Sequence, residues 1–449
     1  MRPFPPNHEL ADLLLEVSQA EASQDWDLAA CLLEEAQILV PDDHHLRIRA
    51  ANAFWFSDQP HQALRLYQDA ALRLYQDAAL TAPQQAGPYL GIANALRDLN
   101  RFEEADQAFQ LCRSLSDSPQ AACNHASLLL GLERYDEAYR LAERRFEIAG
   151  YAHGRSSSPG LPGRGAALHV WSEQGLGDTL QYLRWLPLLH QRISGSGIRL
   201  VLEVEASLVT LVQQAFSGLD PEPEVLPLGE SPGPLPQGAT GLGLLSLPDR
   251  LGGGPHPEGL PEQGSYLRPS AWNQRSAWEG GVRIGITWAS GRKGDSAFQW
   301  REYHKRSLDR ANLDRLTQGL LNLGCSLVLI QQGADREALG PLAARFDDAI
   351  DPQGDFAHTA AVIQTTDLIL SVDTSVAHLS GALGHPTWVL LPWSADPRWL
   401  RGRSDSPWYP SLQLFRQEDP GLWSSVVETV IQAVRQTFAL KPTAESGLI

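Results

Sequence analysis

Ile369-Leu-Ser-Val-Asp-Thr-Ser-Val-Ala-His-Leu-Ser-Gly-Ala-Leu-Gly-His-Pro386 is the stretch on which the fold turns. Leu368 to Val372 is a short apolar run of strand-forming residues. Asp373, Thr374 and Ser375 follow, and side-chain oxygens of these types accept orphan N–H groups at helix starts. Ala377, Leu379, Ala382 and Leu383 then repeat at helical spacing, and Gly384 with Pro386 supplies a stop. Thr387 to Leu391 reads as the next strand. A buried strand running into a helix and on to another strand is the unit of a parallel α/β sheet. Its helix N-terminus points out from the strand's carboxyl end, where anionic ligands bind in such sheets.

Working outward toward the N-terminus, Val282 to Ala289 is a strand, followed by a polar loop over Ser290 to Lys305. A helix is expected from Arg306-Ser307-Leu308 to about Leu323, a strand over Ser326 to Gln331, and helices over Asp335 to Arg345 and near Asp355 to Thr366. Toward the C-terminus, an amphipathic helix spans about Leu422 to Phe438. Alternating elements of this length predict a parallel sheet with crossover helices. A second set lies upstream. Leu168 to Ser172 reads as a strand, Glu173-Gln-Gly-Leu-Gly-Asp178 as a Gly-rich turn, and Thr179 to Arg192 as a helix kinked by Pro187. Ile198 to Val204 is a strand and Ser207 to Phe216 a helix. The turn lacks the Gly-Lys-Ser/Thr of a Walker loop, and Leu180 stands where a dinucleotide fingerprint needs its third glycine. Its glycines say that backbone must approach something closely. Asp220 to Pro269, rich in Pro and Gly, reads as the irregular end of this first Rossmann-like domain.

The first 150 residues are helical and repetitive. Asp25-Trp26-Asp-Leu-Ala29, Gln59-Pro60-His-Gln-Ala63, Arg101-Phe102-Glu-Glu-Ala105 and Arg134-Tyr135-Asp-Glu-Ala138 align with offsets of 34, 42 and 33 residues. A period near 34, with alanine at the tight contact and Pro41 and Pro83 after the second helix, is that of tetratricopeptide (TPR) repeats. The long interval has a visible cause: Ala63-Leu-Arg-Leu-Tyr-Gln-Asp-Ala70 recurs at once as Ala71 to Ala78. The eight extra residues would extend a helix by about 12 Å, and read either as a tolerated duplication projecting past the array or as an adapted binding surface.

Composition sets limits. At 449 residues, two or three domains are expected. A net charge of −17 argues against a general nucleic-acid grip, which needs basic patches. No run of about 18 apolar residues offers a membrane span, although peripheral membrane contact stays open. Met-Arg-Pro-Phe-Pro-Pro lacks the apolar core of a signal peptide. Cys31, Cys112, Cys123 and Cys325 show no Cys-x-x-Cys spacing, so structural zinc and a disulfide framework are not expected and a cytoplasmic setting fits.

Asp373-Thr374-x-x-x-His378-Leu379, with Gly381-Ala-Leu-Gly384 and Pro386, resembles the donor-site motif of the ADP-heptose lipopolysaccharide heptosyltransferases (glycosyltransferase family 9), in a form that carries TPR repeats in front. Ser375 departs from the glycine usual there. The resemblance implies a GT-B fold, two Rossmann-like domains facing across a cleft. It places the TPR-like repeats at 1–150, a linker at 151–165, the acceptor-side domain at 166–275 and the nucleotide-sugar donor domain at 281–440. It implies a cytoplasmic, inverting glycosyltransferase that moves a sugar from a nucleotide-sugar to an acceptor hydroxyl on a protein or glycan, with no metal and no other cofactor. The array's concave face would recognise the acceptor or a partner protein, as TPR arrays bind peptide segments. Asp178 matches the family's proposed catalytic base, but Gly-Asp-Thr at a helix start is also what capping looks like. Glu173 is the alternative base. Gly175, Gly177, the Thr374–Ser375 backbone and Arg306 or Lys305 would hold the diphosphate, and Asp373 would orient and cap. His378 would touch phosphate or ribose, or be a buried histidine bonded to backbone. Two other readings compete: another GT-B enzyme such as a nucleotide-sugar epimerase, and a non-catalytic TPR adaptor with a degenerate GT-B domain.

Overall fold

The computed structural model describes residues 7–57, 85–229, 233–256, 265–267, 280–291, 294 and 296–440. Contacts divide the chain into two compact units. One holds Met1–Arg145, Arg292–Lys305 and Trp393–Arg401; the other holds Phe146–Gly291, Arg306–Pro392 and Gly402–Ile449.

The first unit is built of helical hairpins. Its helices are α1 (Asn7–Ala22), α2 (Trp26–Leu39), α3 (His44–Phe56), α4 (Gly87–Asp98), α5 (Phe102–Leu115), α6 (Pro119–Gly131) and α7 (Tyr135–Ala142). The aligned motifs mark the tight turns. Gln24, Asn100 and Glu133 each take a left-handed conformation, with φ of 61°, 58° and 57°. The N–H of the next residue reaches back to the helix just ended, Asp25 to Ala20, Arg101 to Leu96 and Arg134 to Leu129. This bond satisfies a carbonyl that the helix end leaves orphaned. Ala29, Ala105 and Ala138 are buried, as expected of the small residue at each helix contact. Ala63, Pro83 and the eight-residue duplication lie outside the described residues. This unit also takes in helix-forming chain from far downstream, described with the site below.

The second unit contains two parallel sheets. Strands β1 (Ala167–Trp171), β2 (Arg199–Glu205), β3 (Glu224–Leu228) and β4 (Thr240–Gly243) form one, in the order β3-β2-β1-β4. Strands β5 (Arg283–Thr287), β6 (Ser326–Leu329), β7 (Leu368–Val372), β8 (Thr387–Leu391) and β9 (Leu412–Arg416) form the other, in the order β6-β5-β7-β8-β9. Every residue of β7 and β8 is buried, which is why these strands read as continuous apolar runs. In the first sheet the order reverses between β1 and β4, and in the second between β5 and β7. The crevices outside the carboxyl ends of such strand pairs are where parallel sheets bind ligands.

Three local expectations are corrected. Asp220 to Pro269 is not merely irregular, because β3 and β4 arise within it. Pro227 fits in β3 because β3 is an edge strand, and Gly241 in β4 leaves room for the Trp171 ring. The loop Ser290 to Lys305 contains a helix over Ala297–Arg306. Asp335 to Arg345 is a short helix, Ala334–Glu337, and then a 3₁₀ turn, Gly340–Arg345, broken where Gly340 takes a positive φ. The last helix, Trp423–Thr437, sets Ile431 against Gly319 of the helix Arg310–Asn322, within the same half of the unit as the second sheet.

Pro187 divides the helix after β1 into α8 (Leu176–Tyr182), a 3₁₀ turn (Leu183–Trp185) and α9 (Leu186–Ile193), as its missing N–H requires. The segment before β1 is tied down: Ser158 N–H donates to Gly241 O at 2.8 Å, and Arg155 pairs with Glu203 at 3.0 Å.

Candidate functional site

The chain leaves β7 at Asp373 and enters the helix Ser375–Ala382 (hereafter the site helix). Thr374 is its N-cap, with Oγ1 accepting from Val376 N–H at 3.2 Å and lying 3.1 Å from Ser371 Oγ. Asp373 was expected to cap, but that role belongs to Thr374. The Asp373 carboxylate is buried and turns to two cations or potential cations instead, Arg306 Nη1 at 3.8 Å and His378 Nε2 at 3.9 Å. The β-extended Thr374 sends its own side chain back to the helix N–H groups.

His378 is buried and its Nδ1 lies 2.8 Å from the Tyr409 hydroxyl. It is therefore a buried histidine that a phenol holds at Nδ1. Tyr409 is itself fully buried and meets the His378 ring edge-on. The network continues toward the first sheet. Tyr266 OH donates to Leu180 O at 2.7 Å, and Tyr409 also hydrogen-bonds Tyr266. Burial pushes the Tyr266 phenol up to about 12, against the opposing pull of Arg184's charge and the Tyr409 bond. The Arg184 guanidinium lies 5.6 Å from the Tyr266 ring centre and 5.8 Å from that of Trp408. Tyr409, Tyr266, Arg184 and Trp408 were all missed in the sequence. The one available signal was the aromatic run Trp408-Tyr409, which has no periodicity to interpret.

On the first sheet's side, Gly175 caps α8 and its N–H donates to Asp178 Oδ2 at 3.0 Å. The carboxylate thus sits at the third helical position and reaches back, as an acidic residue does in a capping box. Gly177 meets the close approach that the Gly-rich turn implied: a Cβ there would lie 2.7 Å from His378 Cδ2. Glu173 is committed elsewhere. Its Oε2 accepts from Leu245 N–H at 3.3 Å, joining the end of β1 to the end of β4. A further carboxylate, Glu205 at the end of β2, receives the Thr179 hydroxyl at 3.1 Å from both oxygens.

The two basic candidates separate. Arg306 belongs to the second unit and faces Asp373. Lys305 belongs to the first unit, where its Nζ lies 2.7 Å from Glu302 and 3.4 Å from Ser394 Oγ. The structure therefore gathers Arg306, Asp373, Thr374, Ser375 and His378 at the head of the site helix, with Gly177 against His378. It does not bring Glu173 or Lys305 into that group. Among the described residues, no three His, Cys, Asp or Glu side chains cluster as a metal site requires, and no helix is long and apolar enough to cross a membrane.

Residues 300–399 match the family model of glycosyltransferase family 9 (heptosyltransferase). That stretch includes Arg306 and the whole of the site helix, so the resemblance carried by the Asp373–Pro386 motif is met by an independent comparison. Protein FlbA of Caulobacter vibrioides is 26% identical over 394 residues, covering 80% of this chain. The chain spans 63% of that relative's length. Among solved structures, the chain is similar to the Escherichia coli heptosyltransferase WaaC with ADP-2-deoxy-2-fluoro heptose, at 15% identity and a TM-score of 0.41, covering 61% of this chain and 100% of that one. An O-GlcNAc transferase of Thermobaculum terrenum aligns at 12% identity and a TM-score of 0.32, over 96% of this chain and 92% of that one.

Proposed function

We propose that this chain is a glycosyltransferase of the GT-B type, which moves a sugar from a nucleotide-sugar to an acceptor hydroxyl with inversion and without a resident metal. The observation that carries the reading is the Arg306–Asp373–His378 cluster at the N-terminus of the site helix, outside the carboxyl ends of β5 and β7 and inside the family-matched stretch. The diphosphate leaving group needs compensating charge as the glycosidic bond breaks. Aligned N–H groups at a helix start and one guanidinium supply it. Asp373 holds the Arg306 side chain over that spot, and His378, fixed by Tyr409, forms its wall. Asp178 takes the acceptor proton, with the Gly175 hydrogen bond fixing its orientation. The helical array selects the acceptor or a partner protein.

One observation favours a second reading, a catalytically silent adaptor: Asp178 occupies a capping position that needs no chemistry to explain it. Two substitutions separate the readings. Asp178→Asn keeps an oxygen for the Gly175 N–H but cannot accept a proton. As a base, Asp178 predicts turnover reduced by at least about 100-fold in Asp178→Asn, with donor affinity unchanged. As a cap only, it predicts near-normal turnover in Asp178→Asn and a loss of about 1 kcal/mol of stability in Asp178→Ala. The assay is release of nucleoside diphosphate from a panel of nucleotide-sugars, with and without chelator. Abolition by chelator would overturn the metal-free mechanism, and absence of turnover with every donor in the panel would favour the adaptor.

A further inference from the structure

Three side chains and one carbonyl, all of the second unit, form a chain of hydrogen bonds. His378 Nδ1 lies 2.8 Å from the Tyr409 hydroxyl, Tyr409 bonds Tyr266, and Tyr266 reaches Leu180 O at 2.7 Å. The direction of its protons follows from its last member. A carbonyl only accepts, so the Tyr266 proton lies on the Leu180 side, shared with Gln181 O at 3.3 Å. A phenol has one proton to give. Tyr266 therefore meets Tyr409 with a lone pair, and Tyr409 donates to it. The Tyr409 proton is then engaged, and its oxygen meets His378 Nδ1 with a lone pair. Two lone pairs at 2.8 Å would repel, so Nδ1 carries the hydrogen and donates. The direction holds at neutral pH, because burial keeps the proton on Tyr266 up to about 12. The network thus assigns the imidazole tautomer.

A neutral imidazole has one N–H and one lone pair, and which nitrogen holds which is set by the bond the other makes. With hydrogen on Nδ1, Nε2 is the acceptor. Nε2 is the nitrogen on the Asp373 side of the ring, 3.9 Å from Oδ1 and outside hydrogen-bond distance. The Asp373 charge is met by Arg306 at 3.8 Å, so the carboxylate has a cation beside it without a second proton on the imidazole. We propose that Tyr266 is a positioning residue for His378: acting through Tyr409, it fixes the imidazole hydrogen on Nδ1 and presents Nε2 to the ligand as an acceptor. The group that Nε2 takes is then a hydroxyl, of the ribose or of the transferred sugar. A diphosphate oxygen is an acceptor itself and has no proton to give to Nε2. The phosphate charge is left to Arg306 and the N–H groups of the site helix, and His378 reads a hydroxyl beside them. This rests on the donor-site reading above.

The test uses the full chain with isotope-labelled histidine and reads the two ring nitrogens of His378 by NMR at neutral pH, with His378→Gln to identify them. The wild type should show hydrogen on Nδ1 and a lone pair on Nε2. Tyr266→Phe removes the acceptor of Tyr409 and keeps the ring, so the Tyr409 proton turns to Nδ1 and the imidazole hydrogen moves to Nε2. A purely packing role for Tyr266 would not move it. Should Tyr266→Phe not fold, Tyr409→Phe breaks the same chain one link nearer and is read in the same way. A wild-type ring protonated on Nε2, alone or together with Nδ1, would overturn the proposal, and so would a variant that keeps hydrogen on Nδ1. Calorimetry then compares ADP, ADP lacking both ribose hydroxyls, and ADP-glucose, or the guanosine or uridine series where GDP or UDP binds more tightly. With a ribose hydroxyl at Nε2, Tyr266→Phe weakens ADP and ADP-glucose by about tenfold and spares the form without hydroxyls; with a sugar hydroxyl there, it weakens ADP-glucose alone. Equal weakening of all three, or of none, would overturn the hydroxyl assignment. Failure of the wild type to bind ADP, GDP or UDP would overturn the donor-site reading and that assignment together, whereas normal ADP binding with an unmoved tautomer would overturn this proposal alone.

Discussion

Gly177→Ala tests whether the two sheets of the second unit meet as described. The added Cβ would stand 2.7 Å from His378 Cδ2 and 3.4 Å from Nε2. Ordinary carbon–carbon contact is about 3.5–4.0 Å, so roughly 1 Å must be absorbed. The imidazole cannot swing away cheaply, because it is 3% exposed and bonded to Tyr409 at 2.8 Å. Overpacking of this kind costs about 1–3 kcal/mol. Replacing a helical glycine by alanine returns about 0.5–1 kcal/mol. The expected net loss is about 1–2 kcal/mol, read by urea unfolding of the α/β unit followed by tryptophan fluorescence. The double variant Gly177→Ala/His378→Ala removes the obstacle, so the two changes should be non-additive by at least about 0.5 kcal/mol, with the alanine at 177 costing little once residue 378 is small. A Gly177→Ala protein as stable as wild type, or strict additivity, would show that α8 and the site helix do not pack through this contact.

Two further expectations concern pH. Tyr266 is held protonated up to about 12, above the ordinary phenol value near 10, so its contribution is complete below pH 10 and is lost as pH rises from 10 to 12. Tyr266→Phe should cost about 1 kcal/mol at neutral pH and flatten the melting temperature over that alkaline window; superimposable profiles would refute the buried bond. Asp98, held at about 2, contributes stability that is present above pH 4 and lost as pH falls through 4 to 2, amounting to about 2 kcal/mol. Acid unfolding of Asp98→Asn should lack that step, and a wild type with the same acid profile as the variant would contradict the pairing with Arg301.

What the sequence made legible has a physical pattern. The site helix and its strand were readable because β7 and β8 are buried on both faces, and burial of that kind leaves an unbroken apolar run. The hairpins of the array were readable through Ala29, Ala105 and Ala138, since a small residue is demanded wherever two helices touch. The left-handed turn residues were not, because Gln24, Asn100 and Glu133 include no glycine and so carry no mark of their conformation. Strands β3 and β4 stayed hidden because an edge strand tolerates Pro227 and a strand beside a tryptophan ring takes Gly241, and both residues look like loop. The helix Ala297–Arg306 was mistaken for a loop because its stabilising contacts are long-range: a polar arginine is buried there by a carboxylate about two hundred residues earlier, which no local period records.

The same distinction runs through the site. Short-range features such as the Thr374 cap, the Gly175–Asp178 bond and the Pro187 break follow from neighbouring residue types. Features that join distant segments do not. Asp373 could be placed by its position after β7, but its partners come from two directions, Arg306 from before β6 and His378 from the helix that follows. The reach of the His378–Tyr409–Tyr266 network toward Leu180 depends on three segments meeting. A motif therefore locates the head of the site helix, whereas the pairing of Arg306 with Asp373 is a property of the folded chain. Glu302, four residues before Arg306, pairs with Arg301 and Lys305 in the first unit, while Arg306 faces Asp373. Lys305 and Arg306 are adjacent and chemically alike, and a helix turns consecutive residues by about 100°. That rotation accounts for their different partners, Glu302 and Ser394 for Lys305 and Asp373 for Arg306.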